Sequence, residues 1–248
     1  MSYHWNWGIF FQLSPDGVHT YLSMLLHGTV WTLVTGICAW IIALVLGSII
    51  GVMRTVPNRW LARIGQYYVE LFRNVPLLVQ MFLWYFVFPE VVPEAFGDWL
   101  KQLPDASFYT GVFALGLYTA ARVAEQVRAA IGSLPRGQRL AGLALGLTLP
   151  QAYAYVLLPM AFRIILPPLT SEFLNILKNS AVALTIGLME LTASARAMSE
   201  FSFQVFEAFT AATIIYIIIN IIVTFAMQAL EHRVAVPGYL GRAPSTGH

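Results

Sequence analysis

The sequence predicts an all-α integral membrane protein with five transmembrane helices, and three observations support this fold class. The 248 residues are 58% hydrophobic and only 10% charged, whereas soluble domains carry roughly 25% charged residues. Five stretches are apolar over the roughly 20 residues that a helix needs to cross a bilayer core of about 30 Å. Arginine residues concentrate in every second segment outside these stretches, and five spans place all of these arginine-rich segments on the same side of the membrane.

The composition also excludes several other classes of protein. The apolar content is too high for a disordered chain, and Cys38 is the single cysteine, which excludes a disulfide scaffold. A formal net charge of +2 without a basic tract offers no binding surface for nucleic-acid phosphates. The five histidines are scattered without metal-ligand spacing, so we expect no metal site.

The five predicted spans are 25–53, 64–88, 108–131, 164–189 and 209–230. The first and the fifth contain no charged residue. An ionisable side chain inside a membrane costs at least about 2.5–3.5 kcal/mol, so each one is a candidate for a functional site. In the second, third and fourth spans these residues are Glu70, Arg73, Arg122, Glu125, Arg128, Glu172 and Lys178.

The loop charges predict a periplasmic N-terminus and a cytoplasmic C-terminus, because cytoplasmic loops carry an excess of Lys and Arg. The arginine-rich segments are 54–63, 132–163 and 232–248. Few cations occur in the other segments, which are 1–24, 89–107 and 190–208. Of these, the loops 89–107 and 190–208 are acidic. We therefore divide the chain into a periplasmic interfacial segment (1–24), a transmembrane domain (25–231) and a cytoplasmic tail (232–248).

Two smaller patterns predict where helices and lipid meet. Trp5 and Trp7 in the N-terminal segment predict an aromatic anchor in the outer membrane interface. Gly47 and Gly51, with Ala43 in register, form a small-residue stripe on the first span. Such a stripe permits close contact with another helix.

The predicted cytoplasmic loop 132–163 is longer than the about 2–8 residues that commonly connect two helices. Its pattern predicts two short helices, 139–147 and 151–158, with the second ending at Pro159. An apolar stripe at i, i+3 and i+7 predicts a protein partner in the cytoplasm, and it is formed by Leu140, Leu143 and Leu147.

The loop contains Ala141-Gly142, then Gly146, then Val156-Leu157-Leu158-Pro159. This pattern resembles the EAA coupling loop of permease subunits of ABC importers. The motif has a glutamate where Leu140 stands, and a second alanine where Gly142 stands. The resemblance implies that the two helices dock into a groove on a separate ATPase dimer and transmit its ATP-driven closure. The coupling residues that it implies are Leu140, Ala141, Gly142, Gly146, Leu158 and Pro159.

The resemblance extends over most of the chain and implies a type I ABC importer permease. Segments 70–80, 118–128 and 167–180 resemble the polar amino-acid importer permeases, which have five spans and an outer N-terminus. Segments 6–10, 54–60, 134–138 and 147–153 are similar to one of the two permease subunits of bacterial glutamate/aspartate importers. This similarity implies ATP-driven uptake of acidic amino acids across the inner membrane.

The resemblance also implies the partners: an ATPase dimer, a second homologous permease and a periplasmic amino-acid-binding protein. The sequence contains no Gly-x-x-x-x-Gly-Lys-Ser/Thr motif for nucleotide phosphates. We therefore expect a non-catalytic subunit without a cofactor of its own, with ATP and Mg²⁺ bound by the ATPase.

Two groups of residues are the candidate substrate site. Arg73 is either a clamp for a substrate carboxylate or the ion-pair partner of Glu70. Asn74 and Val75 follow it at a helix break before Pro76, where freed backbone groups can meet a zwitterion.

The second group lies on the fourth span, where Glu172 and Asn179 are seven residues apart and therefore share a helix face. The resemblance implies that Glu172 meets the substrate ammonium group, and a neutral Asn179 avoids repelling an acidic side chain. Alternatively, Lys178 neutralises Glu172 or a charge on a neighbouring span. We expect the third-span residues Arg122, Glu125 and Arg128 to form an ion-pair network of their own.

Three alternatives remain open at this point. The substrate is another polar amino acid (glutamine, arginine or histidine), or the chain is an ion-coupled carrier, or it is a membrane-embedded enzyme. The long cytoplasmic loop argues against a carrier, and no grouped nucleophile and base supports an enzyme.

Overall fold

The computed structural model describes residues 3–234, and all regular structure in this range is helical apart from one bridge between Leu13 and Thr20. The α-helices are α1 (Tyr21–Met53), α2 (Arg59–Asn74), α3 (Leu77–Phe82), α4 (Phe88–Val91), α5 (Glu94–Gln102), α6 (Ala106–Ser133), α7 (Arg136–Ala144), α8 (Leu149–Ala152), α9 (Leu158–Asn179), α10 (Leu191–Ser202) and α11 (Val205–Val234). Short 3₁₀ segments occupy Trp7–Phe11 and Ser180–Ile186. Single π-turns occupy Leu83–Val87 and Tyr153–Leu157.

Three helices are long and apolar enough to cross a bilayer: Tyr21–Met53, Leu149–Ile186 and Val205–Val234. The pair Arg59–Asn74 and Leu77–Val91 passes the same test together but is bent by 103°, so it is a fourth span only as a broken helix. The helix α6, with 28 residues, is about 42 Å long. It has the length of a span, and its charged residues lie toward its C-terminal end.

The centre of the molecule is the contact between α1 and α6, the most extensive helix pair in the described chain. A Cβ atom added to Gly47 would lie 2.7 Å from the Ala120 carbonyl oxygen, and one added to Gly51 would lie 2.6 Å from Val127 Cβ. The backbones approach this closely because neither glycine has a side chain. The predicted small-residue contact is confirmed.

Each π-turn is followed two residues later by a proline, Pro89 or Pro159. A proline ring collides with the carbonyl group four residues earlier and supplies no N–H group. A widened turn accommodates this collision without ending the helix. The prediction that the second coupling helix ends at Pro159 is therefore wrong, because this helix continues from Leu149 to Ile186 as one unit of 38 residues.

The N-terminal segment is held on the end of the α10–α11 hairpin where the two helices join. Ile9 is buried in a cluster with residues of α1, α10 and α11. The Tyr3 hydroxyl group donates to Glu207 Oε2 at 2.5 Å, and the backbone N–H group of Asn6 donates to Glu207 Oε1 at 2.6 Å. The carboxylate holds the Tyr3 proton and raises the pKa of Tyr3 to about 12.

Glu190 and Glu207, which lie in the predicted acidic loop 190–208, are both buried. Glu190 caps α10 by accepting hydrogen bonds from the amide groups of Thr192 and Ala193. Glu190 also accepts one from the hydroxyl group of Tyr216 on α11. At the other end of the chain, α11 continues into the predicted tail as far as Val234, and the tail's Arg242 lies outside the described residues.

We predict that Gly47→Ala destabilises the folded chain by about 1–3 kcal/mol, because the added methyl group meets backbone and side-chain atoms that cannot move away cheaply. Thermal unfolding in detergent measures the change. Gly132→Ala is the matched control, since nothing lies within 4 Å of a Cβ atom at that position. Equal effects of the two substitutions would contradict the packing role of Gly47.

Candidate functional site

The chain turns sharply between α2 and α3, where the sequence predicts a helix break. Val75 and Pro76 have extended backbone angles, with ψ of 126° and 141°. The residue before a proline avoids the α conformation for steric reasons, so α2 ends at Asn74. The predicted kink at Pro76 is confirmed, and its 103° bend makes it a corner rather than a slight bend.

The buried side chain of Gln80 stabilises this corner. Its Nε2 group donates to the carbonyl groups of Phe72 at 2.9 Å and Val75 at 2.8 Å. These carbonyl groups would otherwise remain unpaired at the end of α2, at a high cost in an apolar environment. Gln80 therefore holds the corner in shape.

The predicted residues at this corner are open to the surroundings. Arg73 and Asn74 are exposed, and Val75 is half-buried. Glu70 accepts a hydrogen bond from Gln66 at 2.7 Å, and within residues 3–234 no ion pair joins it to Arg73. The alternative in which Glu70 and Arg73 neutralise each other is wrong for the described chain, where the Arg73 side chain is exposed.

The second part of the site lies between α6 and α9. Arg122 Nη1 is 3.5 Å from Glu172 Oε2, and Gln126 Nε2 is 3.4 Å from Glu172 Oε1. Both distances exceed those of a strong charge-assisted hydrogen bond. Glu172 Oε2 and Gln126 Oε1 are buried and accept no hydrogen bond from the described part of the chain. This pairing is therefore loose, and it leaves two buried acceptor atoms without a hydrogen bond.

Arg122 is also held from the other side by Tyr118. The Tyr118 hydroxyl oxygen lies 3.3 Å from Arg122 Nη2, and the guanidinium carbon lies 5.4 Å from the centre of its ring. Tyr118, Arg122 and Gln126 are spaced four residues apart, so they form one stripe on α6 that faces α9. This four-residue spacing is the signal in the sequence that groups Arg122 with Tyr118 and Gln126.

Glu125 and Arg128 belong to a separate cluster on another face of α6. Glu125 pairs with Arg128 and, at 2.5 Å, with Arg54 at the end of α1. The predicted network of three third-span charges is therefore confirmed for Glu125 and Arg128 and wrong for Arg122. One helix thus carries a tight structural cluster and, one turn away, the loose pair with Glu172.

The remaining predicted residues of α9 differ in environment. Asn179 is half-buried at the point where α9 tightens into the 3₁₀ segment. Lys178 is exposed and forms no ion pair within the described residues, so the alternative in which it neutralises Glu172 is wrong. No described polar contact joins Arg73, Asn74 or Val75 to the Glu172 group. The structure brings together Arg122, Gln126 and Glu172, whereas the corner residues remain a separate group.

The predicted coupling residues form a compact unit before the long helix. Gly146 has a φ of +87°, which only glycine adopts without strain. Its amide group donates to Leu143 O, and the Leu147 amide group donates to Gly142 O, which is the Schellman ending of a helix. Leu140 is 58% exposed, so the apolar surface is accessible. Ala141 and Pro159 are exposed, Leu158 is half-buried and Gly142 is buried.

An apolar cavity of about 920 Å³ lies among the π-turn Leu83–Val87, α4, α5 and α6. Aromatic side chains line much of it, including Trp84, Phe88, Trp99 and Phe113. None of the predicted substrate residues lines this cavity. In the described part of the chain, no group of three or more His, Cys, Asp or Glu residues could hold a metal ion.

With this geometry established, the chain can be compared with known proteins. Residues 43–236 match the family of binding-protein-dependent transport system inner membrane components. The chain belongs to this family: it is a permease subunit of an ABC transport system in the inner membrane, and such subunits work with a separate ATPase and a substrate-binding protein.

Individual relatives share most of its length. The glutamate/aspartate import permease protein GltJ of Escherichia coli (strain K12) is 54% identical over 244 residues, which cover 97% of this chain and 99% of the relative. The probable glutamine ABC transporter permease protein GlnM of Bacillus subtilis (strain 168) is 33% identical, covering 85% of this chain and 93% of the relative.

Solved structures share the fold. A crystal structure of an amino acid ABC transporter with histidines has a TM-score of 0.73 and 30% identity, covering 86% of this chain and 95% of the other. An inward-facing structure of the MetNI methionine ABC transporter has a TM-score of 0.67 at 20% identity, covering 90% of this chain and 100% of the other. The fold is therefore that of a type I ABC permease.

We predict that Gln80→Leu destabilises the chain by about 1–3 kcal/mol, because two carbonyl groups lose their donor and each hydrogen bond contributes about 0.5–1.5 kcal/mol. Thermal unfolding in detergent measures the change. Gln66→Leu on the exposed face of α2 is the control and should alter stability by less than about 0.5 kcal/mol. A Gln80→Leu protein as stable as the control would show that the corner does not need Gln80.

Proposed function

We propose that this chain is a permease subunit of an ATP-driven importer that carries glutamate and aspartate into the bacterial cell by alternating access. The observation that carries the proposal is the 54% identity to GltJ over 97% of the chain. The loose Arg122 and Glu172 pair in the centre of the molecule supports it, because a charged pair that lacks strong hydrogen bonds can exchange partners with a charged ligand.

The charges of the candidate site match those of an acidic amino acid. Glutamate and aspartate carry two carboxylates and one ammonium group, and the site residues supply two guanidinium groups and one carboxylate. Arg122 receives one carboxylate, Glu172 receives the ammonium group, and Arg73 clamps the remaining carboxylate. Asn74 and Val75 contribute backbone groups from the corner, and the neutral Asn179 tolerates the negative side chain.

The five-span arrangement is part of the proposal. The broken pair of α2 and Leu77–Val91 crosses as one span, and α6 crosses as another because its length suffices. The N-terminus then lies in the periplasm and α7 in the cytoplasm. Loops with few cations face outward and arginine-rich loops inward.

The partners follow from the same arrangement. The exposed leucines of α7, with Ala141, Gly142, Gly146, Leu158 and Pro159 around them, dock on the ATPase dimer, which binds ATP and Mg²⁺. A second, homologous permease completes the pathway as a heterodimer. The binding protein delivers substrate to the exposed acidic residues of the outer loops, which are Glu90, Glu94, Asp98, Asp105 and Glu200.

The deciding experiment is uptake of labelled glutamate by cells with and without this chain, in competition with excess aspartate, glutamine, arginine or histidine. We expect deletion to abolish uptake, and only aspartate to compete, because a neutral or cationic side chain does not satisfy the second guanidinium group. Competition by arginine, histidine or glutamine would agree with an importer function but would contradict the proposal that the substrate is acidic.

We also predict that Arg122→Gln and Arg73→Ala each lower uptake at least about tenfold while the complex still assembles. Losing a charge-assisted hydrogen bond costs about 1.5–3 kcal/mol, and 1.4 kcal/mol is a factor of ten. Arg122→Lys should restore part of the uptake, since it keeps the charge but not the planar fork. The control is Arg63→Gln, which changes an exposed arginine on α2. Full uptake by an assembled Arg73→Ala complex would remove Arg73 from the site.

A further inference from the structure

The turn between α1 and α2 contacts three other elements through two consecutive residues. Arg54 Nη1 lies 2.5 Å from Glu125 Oε2 on α6. The aliphatic part of Arg54 packs on Gly65 of α2, where an added Cβ atom would lie 2.7 Å from Arg54 Cγ. The carbonyl group of Thr55 accepts a hydrogen bond from the Tyr153 hydroxyl group at 2.8 Å. This turn therefore connects α2 and α6 to the cytoplasmic loop.

Tyr153 lies between the exposed coupling surface and the buried core. It is 5% exposed, whereas Tyr155 in the same π-turn is 72% exposed. One side of this turn thus faces outward with the leucines of α7, and the other packs in a core cluster with Val127 and Leu157. A partner that presses on the outer side displaces Tyr153 as part of one packed unit.

The turn that receives the Tyr153 hydrogen bond is stiff. The Thr55 hydroxyl group donates to the Val52 carbonyl group at 2.8 Å, and the Arg54 amide group donates to the Ile50 carbonyl group at 3.1 Å. Both bonds fasten the turn to the last turn of α1. A displacement of the Thr55 carbonyl group is therefore passed on to the neighbouring helices instead of being absorbed locally.

The two helices that contact this turn, α2 and α6, also carry residues of the candidate site. Glu125 is three residues from Arg122 on α6, and α2 runs from the packing position of Gly65 to Arg73 and Asn74 at the corner. A helix moves as a rigid element over such distances. Motion of the turn consequently changes the position of Arg122 relative to Glu172.

We propose that the hydrogen bond from Tyr153 to Thr55 is a transmission contact, through which movement of the coupling loop reaches α2 and α6. Tyr153 is a positioning residue in this arrangement, because it is buried and its hydroxyl group donates to the Thr55 carbonyl group. The inference rests on the proposed coupling role of loop 132–163. The long helix Leu149–Ile186 moves Glu172 directly, and the Tyr153 contact moves the opposite side of the site with it.

The test is Tyr153→Phe, which removes one hydroxyl group and keeps the buried ring. The complete complex is reconstituted in proteoliposomes with the binding protein and an amino acid that this protein binds, and ATP hydrolysis and uptake are measured in the same vesicles. We expect the number of molecules transported per ATP to fall about two- to tenfold, as the loss of one hydrogen bond implies. The amount of assembled complex and its basal hydrolysis should stay unchanged.

Tyr67→Phe is the matched control, because the Tyr67 side chain is 70% exposed on α2. An unchanged transport-to-hydrolysis ratio in Tyr153→Phe overturns the proposal. Equal losses of hydrolysis and uptake together with less assembled complex also overturn it, since they indicate a purely structural hydroxyl group. A wild-type complex that transports glutamine or histidine instead of glutamate refutes the proposed acidic substrate but leaves the proposed role of Tyr153 intact. A wild-type chain that binds no ATPase refutes both proposals.

Discussion

The rest of this structure depends on the close contact between α1 and α6. Lipid gives two helices no hydrophobic reason to associate, so their contact relies on van der Waals packing, which small residues such as Gly47 and Gly51 permit. The contact places α6 at the centre, where one face meets α9 and another meets the end of α1. Charged side chains of α6 are tolerated there because each face finds a partner of opposite charge, Glu172 for Arg122 and Arg54 for Glu125.

Prolines shape the second half of the architecture, and the outcome depends on how the freed backbone groups are satisfied. Inside a membrane an unpaired carbonyl group is expensive. At Pro76 the helix breaks, and Gln80 pairs the carbonyl groups of the corner. Before Pro89 and Pro159 a π-turn widens the helix instead, so the chain continues. The first solution exposes Arg73 and Asn74, and the second gives one continuous helix from the coupling loop to Asn179.

These two features connect loop 132–163 to both sides of the proposed site. The helix Leu149–Ile186 carries Glu172 and Asn179 on the same rigid element that begins beside α7. The opposite side, formed by α2 and α6, is connected to the loop through the turn at Arg54 and Thr55. An alternating-access pathway requires that both walls move together, and the packing supplies a physical route for each wall.

The sequence by itself determined the all-helical membrane fold, the small-residue contact and the position of the break at Pro76, because these follow from composition, spacing and local backbone sterics. It also identified the charged residues that needed a partner. Only the tertiary structure decided the pairing: Glu172 meets Arg122 and not Lys178, and Glu70 meets Gln66 and not Arg73. Glu190 and Glu207 are buried rather than surface charges, the first as the cap of α10 and the second as the acceptor for Tyr3 and Asn6. The sequence also did not show that the helix continues past Pro159; only the structure did. Pairing depends on which helix faces pack together, and one-dimensional spacing defines the faces without saying which of them meet.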